Sequence, residues 1–191
     1  MTGRQITEER VTVAEEVKQR SGQDVLLCYQ CHKCSGGCPV TFVSDLPLSG
    51  LIRALQLGLR DVALSCHLVW LCSGCRACAE RCPNGIDGAR VIDTLKAMAK
   101  EADQVKDPRV AAFHDSFLAM VRRFGRAYEL GMMGLYKVRT GTFTQDIPMG
   151  MKMFARRKLR VVPSTAPRRR DLVRLFREGV RYRSRQRGEL A

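Results

Sequence analysis

The sequence lacks any run of 18 apolar residues, and its charged first 20 residues lack the apolar segment of a secretion signal. These absences argue against a membrane-spanning helix and against export. No stretch shows sustained alternation of apolar and polar residues, so a sheet-rich fold is not expected. We therefore expect a mainly α-helical protein of the cytoplasm, a reducing compartment that keeps cysteine thiols free.

Acidic residues are scarce as well: 19 Asp and Glu stand against 33 Lys and Arg, a formal net charge of +14. Most of the excess lies in residues 152–191, which hold 14 basic and three acidic residues. Such a segment can bind an acidic protein, anionic lipid or nucleic acid, or it can be a solvated end. Few aromatic side chains accompany it, so we expect no nucleic acid as partner, whereas peripheral membrane contact stays possible.

Cysteine is abundant by comparison, and eight of the nine cysteines form two runs, CYQCHKCSGGCP and CSGCRACAERCP. Both runs have the spacing C-x2-C-x2-C-x3-C-P of bacterial ferredoxins. In two-cluster ferredoxins the fourth cysteine of each run binds the other cluster. The spacing therefore predicts two [4Fe–4S] clusters, one held by Cys28, Cys31, Cys34 and Cys82 and the other by Cys72, Cys75, Cys78 and Cys38.

Three other uses of these cysteines fit less well. A zinc site needs four thiolates and leaves half of the cysteines and both following prolines unexplained. Residues 28–32 also match the C-x-x-C-H haem motif, but the second run has no histidine at that place. A disulfide framework is typical of secreted chains.

Helical periodicity follows and separates the two runs. Pro47 predicts the start of a helix with Leu51, Leu55 and Leu59 on one face, and Pro108 predicts the start of another. Gly22 predicts the end of a first helix that a capping box, Thr12 with Glu15, would begin. Further helices are expected over residues 91–98 and 171–182. The fold class is therefore an α-helical ferredoxin module around two clusters, with a basic helical C-terminal extension.

We expect two domains, a cluster-binding domain over residues 1–125 and a basic extension for partner docking over residues 126–191. The extension begins with a segment rich in glycine and methionine. Its methionines are expected to fill the core of the domain, although an apolar and basic segment also suits contact with another subunit. Their positions are Met132, Met133, Met149, Met151 and Met153.

Several residues near the runs have two interpretations. Cys66 lies outside both runs and is more simply a small buried side chain than a reactive thiol. Trp70 is expected to pack over a cluster. Three basic residues within the runs would either stabilise the reduced cluster or be solvated at the surface. These residues are Lys33, Arg76 and Arg81.

The order of these motifs resembles the C-type subunit of heterodisulfide reductase over about residues 5–105. The resemblance rests on residues 28–39, the helix after Pro47 that ends in LQLGL, WLCSGC at 70–75 and CPNGI at 82–86. It implies a subunit with two [4Fe–4S] clusters that relays electrons between a flavin-containing A-type subunit and a catalytic B-type subunit with CCG motifs. This chain has no adjacent cysteine pair, so the resemblance implies an electron-transfer subunit without catalytic residues of its own. The alternative is an iron–sulfur subunit that delivers electrons to a membrane quinone oxidoreductase.

Overall fold

The computed structural model describes residues 13–142, 147–156, 163–167 and 169–188. All regular secondary structure in these ranges is helical, and the mainly α fold class is thereby confirmed. The chain divides into two compact units, Met1–Asp107 and Pro108–Ala191.

The first unit contains seven α-helices within the described residues. A 3₁₀ turn at Val25–Leu27 precedes the first cysteine run, and another at Thr41–Val43 follows it. The helices are α1 (residues 13–21), α2 (Lys33–Gly36), α3 (Leu48–Gln56), α4 (Arg60–Leu64), α5 (His67–Leu71), α6 (Ala77–Glu80) and α7 (Gly88–Glu101).

Local signals account for most boundaries of the longer helices. Helix α1 ends before Gly22, whose φ of +71° is a conformation that glycine adopts without strain. The predicted capping residue Thr12 lies outside the described residues. Pro47 precedes α3 as its N-cap residue. Asp87 caps α7, because its side chain accepts hydrogen bonds from the backbone N–H groups of Ala89 and Arg90.

The core of the first unit lies between the apolar faces of α1, α3, α5 and α7. Leu51, Leu55 and Leu95 are fully buried, as the helical periodicity predicts. Leu59 was expected on the same face as Leu51, but it is 46% exposed. The reason is that α3 ends at Gln56 and the chain turns at Gly58, whose φ is +74°.

The second unit contains four helices within the described residues. Helix α8 packs against both α9 and α11, and the backbone N–H of Ala166 donates to the carbonyl of Phe124 at 2.9 Å. The structural division after Asp107 precedes the sequence-based boundary at residue 125, because α8 packs within the second unit. The helices are α8 (Pro108–Phe124), α9 (Glu129–Thr140), α10 (Ile147–Ala155) and α11 (Arg169–Gly188).

The methionines of the second unit do not share one environment. Met132 is half-buried between helices, whereas Met149 and Met151 on α10 are 62% and 68% exposed. The expectation that these methionines fill the core is therefore wrong for Met149 and Met151. Among the described helices, none combines the length and apolarity that crossing a membrane requires.

Candidate iron–sulfur centre

Two cavities of equal size open beside the cysteine runs, each with about 380 Å³ of empty space when its open side is included. Both lie in the first unit and have Leu48 and Cys78 in their walls, so they adjoin one another. Cysteines from both runs line each cavity. The first is lined by Cys28, Cys31, Cys34, Cys78 and Cys82, and the second by Cys38, Cys72, Cys75 and Cys78.

The fourth cysteine of each run lies beside the other run. Cys82 lines the cavity of the first run, where Tyr29 lies within electrostatic range of both Cys28 and Cys82. Cys38 lines the cavity of the second run and lies within electrostatic range of Cys72. The fold thus brings the two runs together at both cavities.

The two loops have the same backbone conformation at equivalent positions. His32 and Arg76 each follow the second cysteine of a run, and both have a φ of +61°. Two residues earlier, Gln30 (φ +63°) corresponds to Gly74 (φ +67°). Non-glycine residues adopt this left-handed conformation at a cost of about 1–2 kcal/mol, and such strain is concentrated at functional sites.

A polar contact joins each left-handed residue to the helix that follows its run. Nδ1 of His32 is 3.0 Å from Oγ of Ser49, a buried residue in the first turn of α3. The guanidinium of Arg76 pairs with Asp87, the buried cap of α7, with 2.6 Å between Nη2 and Oδ2. These contacts fix the orientation of both loops against long, well-packed helices.

Hydrogen-bond donors point at several of the cysteine sulfurs. Nε2 of Gln30 lies 3.5 Å from Sγ of Cys28. The backbone N–H of Gly74 donates to Cys72, and that of Ala89 donates to Cys78. Donors of this kind stabilise thiolates and tune the potential of a bound cluster.

Burial acts in the opposite direction on the thiols. It raises the pKa of Cys72 and Cys78, because the partly buried charged thiolate loses solvation, and only in part do the N–H donors offset this. Burial also raises the pKa of Cys34. A bound metal removes this penalty by neutralising the thiolate charge, so the site favours ligation over free thiolates.

The three basic residues of the runs differ in their contacts. Lys33 is exposed. The charge of Arg76 is paired with Asp87, so it does not act alone on the second cavity. The guanidinium of Arg81 packs against Gly37, a position with no room for a Cβ atom. Arg81 therefore lies directly beside Cys38.

The donor set fits iron–sulfur clusters better than single metal ions. Thiolates are soft ligands for both. Tetrahedral zinc–thiolate bonds of about 2.3 Å hold sulfur atoms roughly 3.8 Å apart. Within the described part of the chain, no three His, Cys, Asp or Glu side chains are grouped tightly enough for one ion. The cysteines instead surround cavities, as a polynuclear cluster requires.

Cys66 and Trp70 lie outside both cavities. Cys66 is 2% exposed and donates to Oδ1 of Asp45 at 3.1 Å, while the backbone N–H of His67 donates to the same carboxylate. Burial and this hydrogen bond raise the pKa of the Cys66 thiol to about 12, which opposes reactivity. Trp70 is 1% exposed in the core and lines neither cavity, so the expectation that it packs over a cluster is not met.

The sequence interpretation missed Ser49, Asp87 and Gln30 as parts of the site. Asp87 carries a detectable signal, because an aspartate directly before an amphipathic helix is a typical N-cap. Gln30 could be inferred only by aligning the two runs and noticing Gly74 at the equivalent position. Ser49 lies inside α3 and has no distinguishing sequence signal.

Comparisons with known proteins agree with this geometry. The 4Fe-4S dicluster domain family matches residues 24–86, which include all eight cysteines of the runs. The cofactor of the chain is therefore a pair of [4Fe–4S] clusters.

Curated relatives include the C-type subunits of several heterodisulfide reductases. The second such iron-sulfur subunit of the CoB–CoM heterodisulfide reductase of Methanocaldococcus jannaschii is 33% identical over 119 residues, 60% of this chain and 61% of that protein. The C-type subunit of the ferredoxin/F(420)H(2)-dependent CoB-CoM heterodisulfide reductase of Methanosarcina acetivorans is 33% identical over 109 residues, 57% and 64% of the two chains. The C-type subunit of the H(2):CoB-CoM heterodisulfide,ferredoxin reductase of Methanothermobacter thermautotrophicus is 32% identical over 89 residues, 47% and 46% of the two chains.

The chain spans about half the length of the curated relatives that it matches. Within that span, the order of the two cysteine runs and the helix between them is shared with a dicluster domain. The matched part of this chain is a 4Fe-4S dicluster domain of the family formed by the C-type subunits of heterodisulfide reductases.

Proposed function

We propose that the chain is an electron-relay subunit in which each cluster takes three cysteines from one run and the fourth from the other. Cys28, Cys31, Cys34 and Cys82 would hold the first cluster, and Cys72, Cys75, Cys78 and Cys38 the second. The observation that carries this proposal is the lining of the two cavities by cysteines of both runs. Cys78 also faces the first cavity, so the fourth ligand there has to be tested directly.

The relay role rests on the adjacency of the two cavities. Leu48 and Cys78 are common to both walls, which leaves a single layer of side chains between the sites. A [4Fe–4S] cluster supplies reversible one-electron transfer, at a potential set by hydrogen bonds, charge and exposure. The protein contributes the soft ligands, the N–H donors and a wall that keeps bulk water from the space between the sites.

The same fold offers each site an exposed apolar contact surface. Leu27 and Tyr29 beside the first cavity are 58% and 61% exposed. Phe42 and Val43, which follow Cys38 and Pro39 of the second cavity, are 83% and 57% exposed. Exposed apolar side chains next to a redox site are typical of surfaces that bind a redox partner.

We further propose that these partners belong to a heterodisulfide-reductase-like complex. A flavin-containing A-type subunit would exchange electrons with one cluster, and a B-type subunit with CCG motifs would exchange them with the other. Support comes from the names of the relatives and from the lack of adjacent cysteines in this chain. The basic extension, residues 126–191, would dock on an acidic surface of the complex.

Cysteine substitutions test the ligand sets. Anaerobically purified protein should contain about eight iron and eight acid-labile sulfide per chain. Cys38→Ser should then alter the electron paramagnetic resonance signal of the second cluster, and Cys82→Ser that of the first. Cys66→Ser is the matched control, since Cys66 lies outside both cavities, and it should alter neither signal. If Cys38→Ser instead alters the cluster of its own run, the crossed assignment is wrong.

Co-purification tests the complex. The tagged chain, isolated from its native host under low salt, should bring down a flavoprotein and a CCG-containing subunit. Substitution of Tyr29 by Glu should reduce the recovery of one partner, and Phe42→Glu that of the other. Recovery of a membrane quinone oxidoreductase in their place would support the alternative and overturn this proposal.

A further inference from the structure

The second unit contains a cavity that the electron relay does not use. It lies between the first turns of α8 and the middle of α9, with a volume of about 440 Å³. Small-molecule sites in proteins span about 300–1,000 Å³ and are mostly apolar with a few polar groups. Its described lining residues are Arg109, Val110, Phe113, Met132, Met133, Tyr136, Lys137 and Thr142.

The walls of this cavity are apolar but ordered by specific contacts. The rings of Phe113 and Tyr136 meet edge to face, with centroids 6.2 Å apart and an angle of 79°. Such pairs are favourable beyond the area they bury, so they form a stable wall. Met132 and Met133 lie on the same helix as Tyr136 and can adapt to the shape of a ligand.

Both charged groups among the described lining residues are cations. Arg109 is exposed in the first turn of α8, where free backbone N–H groups also favour an anion. Lys137 is half-buried, and its Nζ donates to the carbonyl of Thr142 at 3.2 Å. The hydroxyl of Thr142 in turn lies 2.7 Å from that of Thr140. This chain of contacts holds the Lys137 ammonium at the cavity.

We propose that this cavity binds an anionic amphiphile, a molecule with an apolar body and one carboxylate or phosphate group. The apolar body would lie against Phe113 and the methionines, and the anionic group would pair with Arg109 and Lys137. A purely apolar ligand would leave both cations without a counter-charge, and a purely polar anion would leave the apolar wall wet. The ligand is either a free fatty-acid-like anion or the anionic group and chain of a bilayer lipid.

Calorimetric titration of the full-length protein with its clusters in place tests the site. Decanoate is the probe and decanol its uncharged match. We expect one decanoate per chain and an affinity for decanol lower by about tenfold or more, since the lost charge-assisted hydrogen bonds account for that factor. Arg109→Gln and Lys137→Gln should each weaken decanoate binding by a similar factor. Arg122→Gln, at an exposed arginine of α8 outside the cavity, is the control and should bind normally.

The source of the ligand is decided by competition. If phosphatidylglycerol vesicles compete with decanoate and phosphatidylcholine vesicles do not, the ligand is a bilayer lipid; if neither competes, it is a free anion. Equal affinity for decanoate and decanol, or decanoate binding that both Arg109→Gln and Lys137→Gln leave unchanged, overturns the proposal. The visible absorption of the clusters is recorded for every variant, so that a folding defect is recognised separately.

Discussion

Nη2 of Arg76 donates to Oδ2 of Asp87 across 2.6 Å, and this ion pair joins the second cysteine run to the start of α7. The other carboxylate oxygen, Oδ1, accepts from the backbone N–H of Ala89 at 3.1 Å. That same N–H also points towards the sulfur of Cys78. The carboxylate and a cluster ligand therefore share one donor, and the charge of Asp87 acts on the second cluster both directly and through Ala89.

The first prediction is that Asp87→Asn raises the reduction potential of the second cluster. Asparagine still caps α7, but it removes a nearby negative charge and frees the Ala89 N–H for the thiolate. We expect a rise of a few tens of millivolts, since the change in charge interaction is on the order of 1 kcal/mol at an effective dielectric constant of about 20. Redox titration followed by electron paramagnetic resonance measures it.

Two variants control for other effects of this substitution. Arg76→Gln should move the same potential downward, because it leaves the carboxylate unpaired. Asp61→Asn, which neutralises an exposed carboxylate on α4, should move neither potential. Equal shifts in all three variants would contradict the local role of Asp87.

Gln30 separates backbone strain from hydrogen bonding. Gln30→Gly removes the donor to Cys28 and relieves the left-handed φ, so the first cluster should become harder to reduce by about 40 mV while the fold is not weakened. Gln30→Ala should give the same shift in potential. It should also be less stable than the glycine variant by roughly 1 kcal/mol, the cost of the left-handed conformation.

The matched control for Gln30 is Gly74 in the second run. Gly74→Ala adds strain at φ +67°, and a Cβ there meets nothing within 4 Å. It should therefore lower stability without a steric clash. Denaturant unfolding and redox titration of the three variants check both effects, and a potential that does not respond to Gln30 would exclude its hydrogen bond as a determinant.

Gly88 is predicted to be required for the second cluster. A Cβ at this position would lie 2.6 Å from Cδ2 of Leu48 and 3.1 Å from Sγ of Cys78. Gly88→Ala should therefore displace the ligand and lower stability by about 1–3 kcal/mol, as overpacking does. Iron analysis should show partial loss of the second cluster. Gly36→Ala, where a Cβ meets nothing within 4 Å, should retain full iron content.

Much of the fold could be predicted because its signals are local. Pro47, Pro108 and Gly22 mark helix boundaries, and the apolar spacing of α3 and α7 is regular. Helix α9 was not predicted, since glycines at its positions 131 and 134 weaken a helical pattern. The structure explains Gly131: a Cβ there would come within 2.9 Å of Sδ of Met120. Packing against α8 thus overrides helix propensity.

The site was predictable only in part for a related reason. Ligand spacing is a property of the sequence, so the cysteine runs were evident. The left-handed conformations of His32 and Arg76 were not, because neither residue type favours them. They follow from contacts to Ser49 and Asp87 in helices distant in the sequence. Such tertiary contacts leave no periodic signal.

Cys66 gives a prediction for alkaline stability. Its folded pKa, about 12, lies above the ordinary value of about 8.5, so the thiol stabilises the fold fully below pH 8.5. This contribution should be lost progressively as the pH rises from about 8.5 to 12, because the unfolded chain releases the proton first. Cys66→Ser keeps a donor to Asp45 and does not titrate in this range.

Thermal unfolding between pH 8 and 11 measures the effect. The difference in melting temperature between wild type and Cys66→Ser should narrow as the pH rises. Both proteins should carry the full iron content at pH 7.5, because Cys66 lines neither cavity. A constant difference across this range would show that the Cys66 thiol stays protonated in the unfolded chain or does not stabilise the fold.

The last prediction concerns the basic extension. Truncation after about residue 160 should leave both clusters intact, because every cysteine of the runs lies in the unit Met1–Asp107. It should weaken binding to an acidic partner in a salt-dependent way, since exposed charges are screened within about 10 Å at 0.1 M salt. Truncation also removes α11, which packs on α8, so the second unit should lose stability as well.

A charge variant distinguishes these two effects. Arg170 and Arg177 are exposed on α11, and the double variant Arg170→Gln/Arg177→Gln keeps the helix while it removes two positive charges. It should reduce partner recovery and the slope of its salt dependence without changing the unfolding of the second unit. Loss of iron on truncation would show that the extension supports the cluster domain. Loss of binding to anionic vesicles, with partner recovery unchanged, would assign the extension to a membrane surface.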